Sequence, residues 1–366
     1  MKKRIVSLLV CVGLIFSVSM AADTTNQFSD FDTEELTLFK ELIQDLFYKD
    51  VTDKELKEAA LKGMFQSLDP YSNYYNEEET EEFNTTVSGL YKGIGIKFEM
   101  YDGYVHIVKV FTNSPAQAAG LQADDTIIEI NGEDIKGWSS EKVAANIRGE
   151  AGTTVNVTVV RGDQLFAPDV LREEIQAESC EFDILNDDIA YIKIEEFNAS
   201  TAMEVASYLH AINLTGYNEK LILDLRNNTG GYVDQAVAVA RNFVPRGIIT
   251  TLKFKNPNSD TVYRSSLEKN PYKMVVLVNE ATASASEILA GALQDNGVKL
   301  VGRPTYGKGV FQRTLNLKNG GMVKLTTGQY LTPSGVCIDK VGLKPDVDVA
   351  GDEEQLQKAI EEVNKL

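Results

Sequence analysis

Two short stretches hold the residues best suited to chemistry. In the first, Val278-Asn279-Glu280-Ala281-Thr282-Ala283-Ser284-Ala285-Ser286-Glu287-Ile288, an apolar run ends in small residues, and helical spacing begins near Ser284. A hydroxyl at such a strand-to-helix corner suits a nucleophile, because the unpaired N–H groups of a first helical turn can hold a developing oxyanion. The same Ser284-x-x-Glu287 spacing is that of a capping box, and taken alone the segment reads as the cap. The second stretch, Val301-Gly302-Arg303-Pro304-Thr305-Tyr306-Gly307-Lys308-Gly309-Val310-Phe311-Gln312, sets one lysine between two glycines, where backbone can approach closely and enclose the ammonium. The chain has two histidines, His106 and His210, and neither offers a plausible base. A reactive serine would then need another base, and neutral lysine is the known substitute. A lysine of pKa about 10.4 is neutral only about one part in 2,500 at pH 7. Burial without a carboxylate partner has to bring it toward about 7–8. Gln312, four residues on, falls on the same face of a strand, and its uncharged carbonyl could orient the amine. The plain alternative is a surface lysine in a turn.

A third stretch, Asp224-Leu225-Arg226-Asn227-Asn228-Thr229-Gly230-Gly231, ends a strand in two glycines, which free the backbone to point an N–H outward. The amides of Gly230 and Ala285 are candidate oxyanion donors; a tight turn is the plain alternative. Gly302-x-x-x-x-Gly307-Lys308 also has the outline of a phosphate-binding loop, but Gly309 stands where a hydroxyl should hold Mg²⁺ and Pro304 interrupts the cradle. Upstream, Tyr91-Lys92-Gly93-Ile94-Gly95-Ile96 places glycines ahead of a strand. The N–H groups of Gly93, Ile94, Gly95 and Ile96 could bind a carboxylate while the open strand edge pairs with a peptide.

The surrounding pattern supplies the elements that position these residues. Residues 33–49 and 52–68 have helical spacing, the second stopped by Asp69-Pro70. From about Ser88, short alternating runs read as strands of a small β-rich module. After residue 185, buried-looking strands at 189–194, 221–225 and 274–278 alternate with helices at 201–212, 234–243 and 284–293, as in an α/β layered domain. The tail 352–366 reads as an amphipathic helix. The fold class is thus α/β and α+β multidomain: 1–21 a signal peptide, 22–85 an N-terminal helical region, 86–172 the β module, 173–350 the layered core and 351–366 a C-terminal helix. The basic Met1–Arg4, apolar residues 5–18 and small Ser19-Met20-Ala21 predict export with cleavage near Ala21, to a periplasmic or other extracytoplasmic place. Retention of the segment would leave the protein membrane-associated, although about 14 apolar residues are short for a span. With 366 residues and a formal charge of −18, the chain would be repelled by phosphate backbones, so nucleic acid is a poor partner. Three cysteines and two histidines, scattered, predict no metal and no cofactor. Pairing of Cys180 with Cys337 stays open.

These residues resemble the carboxyl-terminal processing (tail-specific) serine protease family with an embedded PDZ domain. The likeness covers Leu68-Asp69-Pro70-Tyr71, the PDZ signature at 93–132, Asp224–Gly231, Ala283–Glu287, Gly307-Lys308-Gly309-x-x-Gln312, Tyr330-x-Thr332-Pro333-x-Gly335 and Gly342-x-x-Pro345-Asp346. Thr282 departs from the serine usual at its position. The resemblance implies Ser284 as nucleophile, Lys308 as general base, Gln312 as its orienting partner, Gly230 and Ala285 as oxyanion donors, and a structural role for Asp295. It implies protein or peptide substrates with free apolar C-termini, docked by the PDZ module and cut through an acyl-enzyme. Arg148, at the end of the module's helix, is a candidate coupling residue. A homo-oligomer or an adaptor remains open. The rival expectations are a catalytically silent PDZ-bearing binding or scaffold protein and a hydrolase of small esters or amides.

Overall fold

The computed structural model describes residues 33–186, 188–215 and 219–366. The signal-peptide expectation for 1–21 lies outside the described residues. Among the described residues, no helix is long and apolar enough to cross a membrane.

A six-stranded sheet is the frame of the core, in the order Cys180–Leu185, Ile189–Ile194, Lys220–Asp224, Lys273–Val278, Lys299–Gly302, Val347–Asp348. The last five run parallel and the first is antiparallel. Central strands such as Leu221–Leu223 and Val275–Val278 are fully buried because both faces are covered. Helices Thr201–Thr215, Val233–Ala240 and Ala285–Gln294 contribute to the large core cluster on one face. Helix Asp352–Val363 covers the other with Ala359 and Val363 against Ile222, Val275 and Leu277. A second, antiparallel sheet joins Met322–Leu331 to Val310–Asn316 and to Gly247–Phe254, which pairs with Thr261–Ser265.

The β module has its own core around Ile94, Val105, Ile107, Ile127, Val143 and Val157. It leaves the rest of the chain through a two-stranded ribbon, Leu90–Gly93 against Glu173–Gln176. The N-terminal region contains helices Thr33–Leu46, Asp53–Gln66 and Glu77–Ser88. Thr52 and Asn76 head the second and third in reciprocal caps with Glu55 and Glu79. Between them lies a strand the helical reading passed over: Asn73–Tyr75 adds to Met322–Lys324. Three residues are too few to show a two-residue period, so only the partner strand defines it.

Candidate active site

Strand Lys220–Asp224 ends where Asp224 receives Arg226 on both carboxylate oxygens and the Tyr191 hydroxyl at 2.7 Å. From there the turn 227–231 is tied to the neighbouring corner. The Asn228 carbonyl accepts from the Ala283 N–H and the Ser286 hydroxyl, each at 3.0 Å. Thr282 closes the corner from below, donating to the Leu225 carbonyl at 2.8 Å and accepting from the Asn279 N–H at 3.0 Å. Ser284 is therefore held at φ +59°, ψ −118°, immediately before helix Ala285–Gln294, and is 3% exposed. A non-glycine residue at positive φ is uncommon, and here the surrounding bonds over-determine it.

Lys308 is fully buried. The flanking glycines allow its enclosure: a Cβ on Gly309 would lie 2.4 Å from the Asp339 nitrogen, and one on Gly307 2.7 Å from the Gly342 nitrogen. Nζ lies 4.8 Å from the centre of the Tyr71 ring. Gln312 is also fully buried, its Nε2 donating to Thr326 Oγ1 at 3.0 Å. Lys308 itself precedes the strand, which starts at Val310 with a register shift at Phe311/Gln312. The same-face relation expected from a continuous strand is thus replaced by a bulged one.

Two residues link the serine corner to the lysine loop, and neither was singled out in this role from sequence. Glu287 is fully buried, and one of its oxygens accepts both the Ser284 and the Lys308 N–H, each at 2.9 Å. The other accepts the Thr305 hydroxyl at 2.6 Å and the Gly307 N–H at 2.8 Å. Burial pushes the Glu287 carboxyl above the usual carboxylate range, opposed by the hydrogen bonds from Thr305, Gly307, Ser284 and Lys308. The capping-box spacing gave Glu287 its local half only; the bonds to 305–308 come from tertiary structure. Tyr330, fully buried, donates its hydroxyl to the Lys308 carbonyl and lies 3.1 Å from the Ser284 carbonyl.

Gly230 and Ala285 are also brought together. A Cβ on Gly230 would lie 2.8 Å from Ser284 Cβ and 3.1 Å from the Ala285 nitrogen. The Ala285 N–H opens a helix and has no intrahelical acceptor. The Gly230 N–H, by contrast, donates to Asn228 Oδ1 at 2.9 Å, and Asn228 Nδ2 is anchored on the Ile194 carbonyl at 2.9 Å. In this arrangement Asn228 has to release Gly230 before that amide can face an oxyanion. Asp295 accepts the Ser334 N–H at 2.8 Å, away from this cluster.

Residues 188–349 match the family model of peptidase family S41, 93–170 that of a PDZ domain, and 17–80 that of the activating protease CtpB N-terminal domain. A protein of Staphylococcus saprophyticus named a probable CtpA-like serine protease is 33% identical over 347 residues, 93% of this chain and 70% of that protein. The carboxy-terminal processing protease CtpA of Bacillus subtilis is 36% identical over 322 residues, 87% of this chain and 69% of that one. The chain belongs to the CtpA-type carboxy-terminal processing proteases of family S41, with a PDZ domain. The solved photosystem II D1 C-terminal processing protease shares 27% identity at a TM-score of 0.50, covering 87% of this chain and 90% of that one.

In the PDZ domain, Ile94, Gly95 and Ile96 line a cavity of about 190 Å³ with Phe98, Phe111 and Ile147. It lies between the edge strand Ile96–Tyr101 and helix Ser140–Ile147, the geometry in which an added peptide strand can pair. Gly93 belongs instead to the ribbon, paired with Glu173. Arg148 caps the helix and stacks its guanidinium 5.3 Å from the Tyr91 ring centre, at the rim of this groove. Cys180 and Cys337 are both free thiols. Among the described residues, no cluster of histidine, cysteine or carboxylates could hold a metal ion.

Proposed function

We propose that this protease is an exported serine endopeptidase in which Ser284 attacks the peptide carbonyl, Lys308 is the general base, and Gln312 orients the lysine. The observation that carries this reading is the shared clamp: one buried carboxylate and one buried hydroxyl bind the main chains of both Ser284 and Lys308. Neutral Lys308 takes the Ser284 proton as the Ser284 Oγ–carbonyl bond forms. The Ala285 N–H, and the Gly230 N–H once Asn228 lets it go, hold the tetrahedral oxyanion. Lys308 then gives the proton to the leaving amine as the C–N bond breaks, and water hydrolyses the acyl-enzyme. Lys308 is fully buried, a setting in which desolvation works against an ammonium. The PDZ groove holds the substrate's carboxylate at Ile94–Ile96 and its apolar last side chain in the cavity, with Arg148 coupling occupancy to the core. Substrates are proteins with free apolar C-termini.

A catalytically silent peptide-binding protein has one observation in its favour, the engaged Gly230 amide. Mass spectrometry of an unstructured substrate with an apolar free C-terminus separates the two. Fragments with wild type, none with Ser284→Ala, and a sharp fall for the C-terminally amidated copy are expected. Tail binding without any fragments would favour the silent binder.

A further inference from the structure

Gln312 is useful to a lysine only one way round. Its carbonyl oxygen can accept a hydrogen bond from the amine, whereas its NH₂ would repel an ammonium or, donating to a neutral amine, tie up the lone pair the base needs. Which end faces which way is decided by the rest of the hydrogen-bond network.

That network runs out of the protease core into the N-terminal region. Gln312 Nε2 donates to Thr326 Oγ1 at 3.0 Å, and Thr326 Oγ1 donates to Asp69 Oδ1 at 3.2 Å. Asp69 also accepts the N–H groups of Tyr71 at 2.7 Å and Ser72 at 2.8 Å, and the Ser72 hydroxyl at 2.9 Å. Ser72 Oγ in turn accepts the Thr326 N–H at 3.0 Å, fixing that strand against the turn. Burial alone would raise the Asp69 pKa, but the bonds from Tyr71, Ser72 and Thr326 outweigh it and hold the carboxyl below its ordinary value. An ionised carboxylate only accepts, so the single Thr326 hydroxyl proton is committed to Asp69. The Thr326 oxygen can then only accept from Gln312, which pins the Gln312 amine there. The buried Gln312 Oε1, for which the structure gives no hydrogen-bond partner, is turned the other way. Two residues beyond Asp69 in the same turn, the Tyr71 ring covers Lys308 Nζ.

We propose that Asp69 is a positioning residue of the active site: acting through Thr326, it fixes the Gln312 amide so that its carbonyl oxygen is presented to Lys308. This rests on the Ser284/Lys308/Gln312 reading and extends it to a residue outside the peptidase domain. It also gives the Asp69-Pro70-Tyr71-Ser72 turn a function beyond ending a helix.

The test compares Thr326→Val, Thr326→Ser, Asp69→Ala, Gln312→Ala and Ser284→Ala in the full chain, using steady-state cleavage of a free-tail peptide across pH, with thermal unfolding recorded for each. Thr326→Val keeps shape and removes the hydroxyl. It is expected to lower kcat at least about tenfold, part of what an oriented base contributes, with KM within about twofold. A carbonyl that accepts from Lys308 favours the ammonium form, so turning it away should move the acid limb of the pH–rate profile to lower pH. Thr326→Ser should restore both rate and limb. Asp69→Ala frees the Thr326 proton to meet Gln312 Oε1 and should move the limb in the same direction as Thr326→Val. If Thr326→Val and Asp69→Ala, both folded, keep the wild-type rate and limb while Ser284→Ala and Gln312→Ala are inactive, the relay is overturned and the site reading stands. If Ser284→Ala cleaves like wild type, the site reading itself falls.

Discussion

At Gly230 three demands meet in one residue. It sits at φ +110°, carries the N–H held by Asn228, and touches the serine corner so closely that a Cβ would lie 2.8 Å from Ser284 Cβ. Gly230→Ala should cost about 1–3 kcal/mol of backbone strain and remove nearly all cleavage. Gly132→Ala, at φ +78° with nothing within 4 Å of its Cβ, is the control for strain alone. Unfolding melts and kcat/KM of the two variants check this. Glu287→Gln is a sharper probe. All four short contacts of the carboxylate are with donors, so an amide must turn its NH₂ against two N–H or O–H groups. The expected loss is roughly 2–3 kcal/mol, the scale of orphaning buried donors, together with a fall in kcat, read by calorimetry and steady-state kinetics. Ser284, Lys308, Gln312, Gly230 and Ala285, the residues of the proposed site, stand out in sequence because each sits in a short motif with local logic. Glu287 and Tyr330 were legible only as a cap and as part of a tail motif, because their partners lie up to 46 residues away.

Elements differ in how much of their placement is local. The strands at 126–130 and 189–194 and the helices at 201–215 and 285–294 follow their own periodicity, and they lie where the sequence put them, to within a few residues. Asn73–Tyr75, Gly247–Phe254, Val310–Asn316 and Met322–Leu331 do not, because their second sheet gathers segments from both ends of the chain. The PDZ groove is set by local elements, and that makes it testable alone. Ala144 lines the cavity of about 190 Å³ from the helix side, opposite Ile94 and Ile96. Ala144→Leu places three more heavy atoms in that space. Displacing the tail's last side chain should weaken free-tail peptide binding about tenfold, since losing a buried aliphatic group is worth roughly 1.5–3 kcal/mol. Fluorescence anisotropy of a labelled peptide checks it, and unchanged affinity would place the apolar contact elsewhere.

On the scale of the whole molecule, the PDZ domain is attached by the ribbon Leu90–Gly93/Glu173–Gln176 and by ion pairs that cross to the core. Lys97 meets Glu195 at 2.8 Å and Glu181 at 3.4 Å, and Lys109 pairs with Glu178. Lys97 and Glu195 are 43% and 31% exposed, so each pair is worth no more than about 1 kcal/mol and is screened by salt. Burial would lower the Lys97 pKa, but its bonds to Glu195 and Glu181 outweigh this and raise it. A raised lysine stabilises below its unfolded value, about 10.4, and loses that contribution as pH rises through the folded one. Burial likewise would raise Glu195, but Lys97 and Lys193 depress it. A depressed carboxyl stabilises above its unfolded value, about 4.3, and loses that contribution as pH falls through the folded one. Both partners therefore stay charged across the whole range between. Docking of the PDZ domain on the core should be insensitive to pH from about 5.5 to 9 yet loosen with ionic strength, and Lys97→Met should mimic high salt at low salt. Limited proteolysis of the ribbon reads this directly: faster nicking in high salt or in Lys97→Met, with an unfolding midpoint within a few degrees of wild type, is the expected result. A pH-dependent, salt-independent nicking rate would mean that the ribbon and apolar contacts, and not these charges, hold the two units together.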